Sequence, residues 1–250
     1  MAMQLEVCAN SATSCLQAEE GGATRVELCA GIPEGGTTPS SGEIAVACKL
    51  VNIPIHVIIR PRGGDFVYSH HEIEAMRHDI CVARDLGAQG IVIGCLTPDG
   101  YYDEKANALL LSEAQGMKLT FHRAFDVCAA PTEMLETLIE AGFHRVLTSG
   151  CAPTAVEGKL MLRQLHQQAA GRIGIMAGCG IRVDNLDALA EYTGITEFHS
   201  SLRHQVSSPM RFRKPEVSMG GTVHIDEYSR PETSADLVRQ AVEILRRREK

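Results

Sequence analysis

The chain has 250 residues, 44% of them hydrophobic and 22% charged, the make-up of a folded globular protein with room for a large core. Lys and Arg total 24 against 31 Asp and Glu, a formal charge of −7 with neutral histidines. That balance argues against nucleic-acid backbone binding, which needs a basic face, but leaves room for a small cationic pocket. No apolar run approaches the ~20 residues that span a bilayer, so no membrane association is expected. The N-terminus lacks a signal-peptide pattern, and the nine cysteines are odd in number and never spaced C-x-x-C. Reduced thiols in a cytoplasmic protein are therefore expected.

In chain order, short apolar runs predict strands over 5–8, 25–29, 55–60, 90–94, 118–122, 145–149, 173–177 and 196–200. Helix-like segments lie between them, among them 72–86, 133–141, 155–169 and 185–192. Eight strands alternating with helices imply parallel pairing, because antiparallel neighbours would need only tight hairpins. The length suits a single α/β domain, a (β/α)8 TIM barrel over 1–250. A doubly wound open sheet would usually carry an early G-x-G-x-x-G after its first strand, and none occurs. Two connections are long. Residues 30–41 follow the second strand, and a strand-8 loop over about 202–231 precedes a C-terminal helix over about 234–248. Both fall on the side of the barrel where functional loops gather.

Strand side chains alternate faces. Leu5, Val7, Val26, Leu28, Val57, Ile59 and Phe198 form purely apolar faces that must meet the outer helices. The opposite faces place Glu6, Cys8, Glu27, Cys29, His56, Arg60, Glu197 and His199 inside, on neighbouring strands eight, one, two and three. Buried charges must be paired or solvated by a pocket. For the lower positions, an ion-pair cluster that only fixes the fold is as good a reading as a functional one. For Arg60, pairing with an interior Glu is the favoured reading.

Cys8 and Cys29 end adjacent strands at similar positions, after Glu6 and Glu27. Strands lie about 4.7–4.9 Å apart, close to the ~4.6 Å that two thiolates sharing one ion would span. Soft thiolates select Cu(I) or Zn, and a two-cysteine site suits Cu(I), since Zn normally takes two further ligands. The competing reading is that both thiols pack as small hydrophobes. His122 leaves strand five as a candidate base or ligand, with Arg123 and Asp126 placed to orient it or to pair with each other. Arg60 and Arg62 leave strand three in a turn suited to carboxylate or phosphate. Gly178 and Gly180 after strand seven, with Ser200 after strand eight, could complete an anion cradle. An enzyme acting on a small anionic, even phosphorylated, metabolite would use Arg60, Arg62 and this cradle to hold substrate. His122 and a strand-end carboxylate such as Glu27 would move protons.

The motifs Leu5-Glu-Val-Cys8, Arg25-Val-Glu-Leu-Cys29, Glu34-Gly-Gly-Thr-Thr-Pro39 and Ile59-Arg-Pro-Arg-Gly-Gly-Asp-Phe66 follow one another along the chain. Thr120-Phe-His-Arg-Ala-Phe-Asp126, Arg145-Val-Leu-Thr-Ser-Gly150, Thr196-Glu-Phe-His-Ser200 and Glu227-Tyr-Ser229 continue the series. Together they resemble the copper homeostasis protein CutC family, from Met3 to about Arg230. The resemblance implies a (β/α)8 barrel, a cytoplasmic location and a role in copper handling. It further implies Cu(I) ligation by Cys8 and Cys29 and a homo-oligomer, a dimer by preference.

Overall fold

The computed structural model describes residues 2–220 and 225–249. Eight strands pair in chain order: β1 (Gln4–Ala9), β2 (Arg25–Leu28), β3 (Ile55–Ile58), β4 (Gly90–Ile93), β5 (Lys118–Phe121), β6 (Arg145–Thr148), β7 (Gly174–Ala177) and β8 (Glu197–Ser200). Every pairing is parallel, and β8 closes the cylinder against β1. The connecting helices are α1 (Ala12–Gly21), α2 (Ser41–Leu50), α3 (His70–Asp85), α4 (Glu104–Glu113), α5 (Pro131–Glu140), α6 (Lys159–Ala169) and α7 (Leu186–Thr193); α8 (Ala235–Arg247) ends the series. This is the (β/α)8 barrel that the alternation of elements predicts, with strand ends displaced by only one or two residues.

The helices start where the sequence supplies caps. Ser69 accepts from the Glu72 amide and Glu72 returns the bond to the Ser69 amide, a capping box that fixes the entry to α3. Val238, Ala241, Val242 and Leu245 lie buried along one stripe of α8, the spacing that packs a helix onto a barrel. The main core fills the space between strands and helices, and it contains Leu5, Val7, Val26, Leu28, Val57, Ile59 and Phe198, as their alternation requires. A separate small cluster of Cys29, Ile58 and Val92, with Cys8 against it, lies inside the cylinder. No helix among the described residues is long and apolar enough to cross a membrane.

The connection after β8 is more structured than a loop. It opens with β9 (Arg203–Ser207), which pairs antiparallel with β10 (Ser229–Thr233). This ribbon is tied back to the barrel. Asn10 donates to the Pro231 carbonyl, and the Arg203 guanidinium donates to the Cys8 carbonyl at 3.0 Å. The ribbon thus ends up beside the strand end that carries Cys8.

Candidate functional site

The base of the cylinder is a paired charge layer. Glu6, fully buried, accepts from Arg25 through one oxygen and contacts Nδ1 of His199 at 2.8 Å through the other. Arg25 also reaches Glu197 at 3.2 Å, and Arg145 reaches the same Glu197 oxygen at 2.6 Å. Burial alone would raise the Glu6 pKa, but Arg25, His199 and His56 together hold it well below the usual carboxylate range. Burial, with Arg25 and Arg145 adding to it, pushes His56 down to about 4, so its ring stays neutral. Two glycines make room for this layer. A Cβ on Gly90 would lie 2.5 Å from the His56 ring, and one on Gly174 would lie 2.6 Å from a Glu197 oxygen.

The interior cations are therefore Arg25 and Arg145, and not Arg60 as expected. Both share the inward parity of their strands, Arg25 with Glu27 and Cys29. They begin their apolar runs, where a reading of the run's middle overlooks them. Arg60 instead donates to the backbone carbonyls of Glu34, Gly36 and Gly64, clamping the 30–41 connection to the turn after β3. Its guanidinium stacks over Phe66 at 5.0 Å.

Above this layer sit the thiols. Cys8 pairs in register with Glu27, and the Cys29 amide bonds the Ala9 carbonyl, so Cys29 lies two residues beyond the direct neighbour of Cys8. With ~3.3 Å of rise per residue and ~4.8 Å between strands, the Cα atoms are roughly 8 Å apart. That exceeds the ~7 Å limit for a disulfide without backbone movement. The side chains nevertheless converge, with Sγ to Sγ at 3.4 Å. The stagger suits a shared ion better than an S–S bond. Donor atoms of Cys8, Glu27 and Cys29 all lie within 4.8 Å of one another. The hydrogen bond to Cys29, and then burial, hold the Cys8 thiol well above its ordinary pKa. Burial pushes Glu27 up to about 8 against the attraction of His199, whose Nε2 is 3.6 Å away. Burial would lower His199, but Glu27, Cys8 and Glu6 raise it well above its ordinary value. From β9, Arg203 reaches the Cys8 sulfur at 3.4 Å. His199 joins the thiols as the inward face of strand eight implies, whereas nothing in the sequence points to Arg203, because no spacing links a strand end to a ribbon some 195 residues away.

The mouth is a cavity of about 560 Å³ whose walls include Cys8, Glu27, Ile58, Arg60, Phe66, His122, Leu147 and His199. His122 leaves β5 buried; its Nδ1 accepts from the Ala124 amide and its Nε2 has no partner among the described residues. Burial, and then Arg60, push its pKa down to about 3. Arg123 and Asp126 pair with each other at 2.7 Å and do not orient His122. Of the candidate anion cradle, Gly180 and Ser200 line the cavity, with Ser200 bonded to the Ile181 carbonyl. Gly178 does not line the cavity, and a Cβ there would meet Leu147 at 2.5 Å. Arg62 turns away to Glu72 and Asp65.

Residues 3–204 match the model of the CutC family. The chain belongs to the CutC family. A CutC family protein of Porphyromonas gingivalis is 78% identical over 98% of this chain and 99% of its own. The human copper homeostasis protein cutC homolog is 48% identical over 94% of this chain and 86% of its own. The crystal structure of a CutC copper homeostasis protein from Streptococcus agalactiae superposes with a TM-score of 0.77 at 34% identity, covering 80% of this chain and 98% of that one. Two of these relatives, the human protein and the Streptococcus agalactiae protein, are named for copper homeostasis.

Proposed function

We propose that the protein binds Cu(I) as a thiolate complex at Cys8 and Cys29, with the Glu27 carboxyl as a third donor within reach. The observation that carries this reading is the convergence of the three donor atoms within 4.8 Å on the inner face of two touching strands. Two sulfurs favour a soft ion over Ca or Mg, and the three donors fall short of the four that a closed zinc site takes. A Cu(I) ion with two thiolates carries one net negative charge, which needs a counter-charge when buried. Arg203, at 3.4 Å from the Cys8 sulfur, and His199 supply it. The ribbon formed by β9 and β10 then acts as a cover that brings its own cation.

The test is a titration of reduced protein against a chromogenic Cu(I) chelator. Wild type should take up Cu(I) stoichiometrically, and Cys8→Ser with Cys29→Ser should abolish uptake. Glu27→Gln should weaken it far less than loss of either sulfur. Copper uptake by the double serine variant equal to that of wild type would remove the assignment.

A further inference from the structure

The geometry points to a second binding site in the barrel mouth, for a small hydroxycarboxylate. Its carboxylate would sit against the His122 Nε2–H and the Arg60 charge, and a hydroxyl would sit against the Glu27 carboxyl. This goes beyond copper binding; the two sites share Glu27, and the binding of the acid does not require the metal.

Three polar groups lining one cavity lack partners that the fold supplies elsewhere. Because His122 Nδ1 accepts from the Ala124 amide, the neutral ring carries its proton on Nε2. That N–H has no acceptor among the described residues, although the residue is only 3% exposed. Glu27 is 4% exposed; one of its oxygens faces His199, while Oε1 has no partner among the described residues. Arg60, at 5% exposed, bonds three backbone carbonyls. Carbonyls satisfy N–H groups without cancelling a full charge, and Nε of Arg60 has no partner among the described residues. Buried polar groups are almost always satisfied, so three such groups around one cavity mark where a ligand completes the set.

The chemistry of the set selects the class. An uncancelled guanidinium charge with a neutral imidazole N–H suits a singly charged carboxylate. Arg123 and Arg182, also on the lining, are already paired with Asp126 and Asp184, so a dianion such as a phosphate ester would find too little cation. The Glu27 carboxyl, on β2 and so across the mouth from β5, can accept from a hydroxyl. Ile58, Phe66 and Leu147 give the carbon skeleton apolar walls. The volume of about 560 Å³ falls within the usual range for small-molecule sites and admits a six-carbon acid.

The experiment uses reduced, copper-free protein, so its outcome is independent of the thiol pair. Gluconate is the probe, followed by calorimetric titration and thermal unfolding. Glucose, hexanoate and inorganic phosphate remove the carboxylate, remove the hydroxyls, and replace the carboxylate with a phosphate. Gluconate should bind saturably and raise the unfolding temperature, and the three controls should not. His122→Phe and Glu27→Ala, each shown folded by circular dichroism, should each weaken gluconate at least tenfold. Absence of saturable gluconate binding at millimolar concentration, preference for phosphate, or undiminished gluconate binding in both variants would overturn the proposal.

Discussion

The lower and upper halves of the barrel interior are both polar, yet they are built to opposite rules. In the lower half each charge has its counterpart: Arg25 joins Glu6 to Glu197, Arg145 completes Glu197, and glycines at 90 and 174 leave the room these side chains need. In the upper half, two thiols touch each other, and among the described residues a carboxyl keeps a bare oxygen, an imidazole keeps a bare N–H, and a guanidinium faces no carboxylate. Polarity inside a barrel therefore does not by itself mark a site. What separates framework from site is whether the fold has already paired the charges it buries, although Nδ1 of the neutral His56 in the lower layer also has no hydrogen-bond partner among the described residues.

That contrast can be broken most severely from below. Arg25→Met leaves Glu6 buried without its guanidinium and should lower the unfolding free energy by about 3–5 kcal/mol in urea titrations; an effect below ~1 kcal/mol would show that the lower layer is not a framework. Gly90→Ala places a methyl 2.5 Å from the His56 ring and should cost about 1–3 kcal/mol by overpacking.

The upper half can be sharpened through pH. Burial and Arg60 hold the His122 pKa near 3 in the folded chain, against 6.5 unexposed to such effects. Between those values the unfolded chain binds the extra proton, so the histidine's contribution is complete above pH 6.5 and is lost as pH falls. The stability difference between wild type and His122→Asn should be flat above that point and shrink by about 1.4 kcal/mol per pH unit below it. Glu27, raised to about 8, biases stability the other way between its unfolded and folded values, but it is common to both proteins and cancels in the difference. A pH-independent difference would mean that His122 is charged or exposed. The smallest effect belongs to the thiols. Cys8→Ser with Cys29→Ser should change stability by about 1 kcal/mol or less, since a serine at 29 can still donate to the Ala9 carbonyl.

Much of this was legible in the sequence, because a period of two assigns faces without knowledge of neighbours. Leu5 and Val7 outward, with Glu6 and Cys8 inward, follows from alternation alone, as does the grouping of strands eight, one, two and three. Register is different. That Cys8 lies beside Glu27 and diagonal to Cys29 depends on barrel shear, which no local pattern encodes. The inward parity of Arg60 predicts an interior partner, but a strand-end side chain can turn up into its loops, where the Glu34 and Gly36 carbonyls accept from it. The ribbon of β9 and β10 leaves little sequence signal because Arg203–Ser207 carries a single apolar residue, Val206, and β10 contains Pro231, both marks of irregular chain or of an edge.

The most direct measurement is anomalous diffraction at the copper edge from crystals of the reduced protein loaded with Cu(I). The account predicts one ordered ion between the sulfurs of Cys8 and Cys29, each at about 2.3 Å, the usual metal–thiolate distance. Copper bound away from these two sulfurs, or held by nitrogen and oxygen alone, would contradict it.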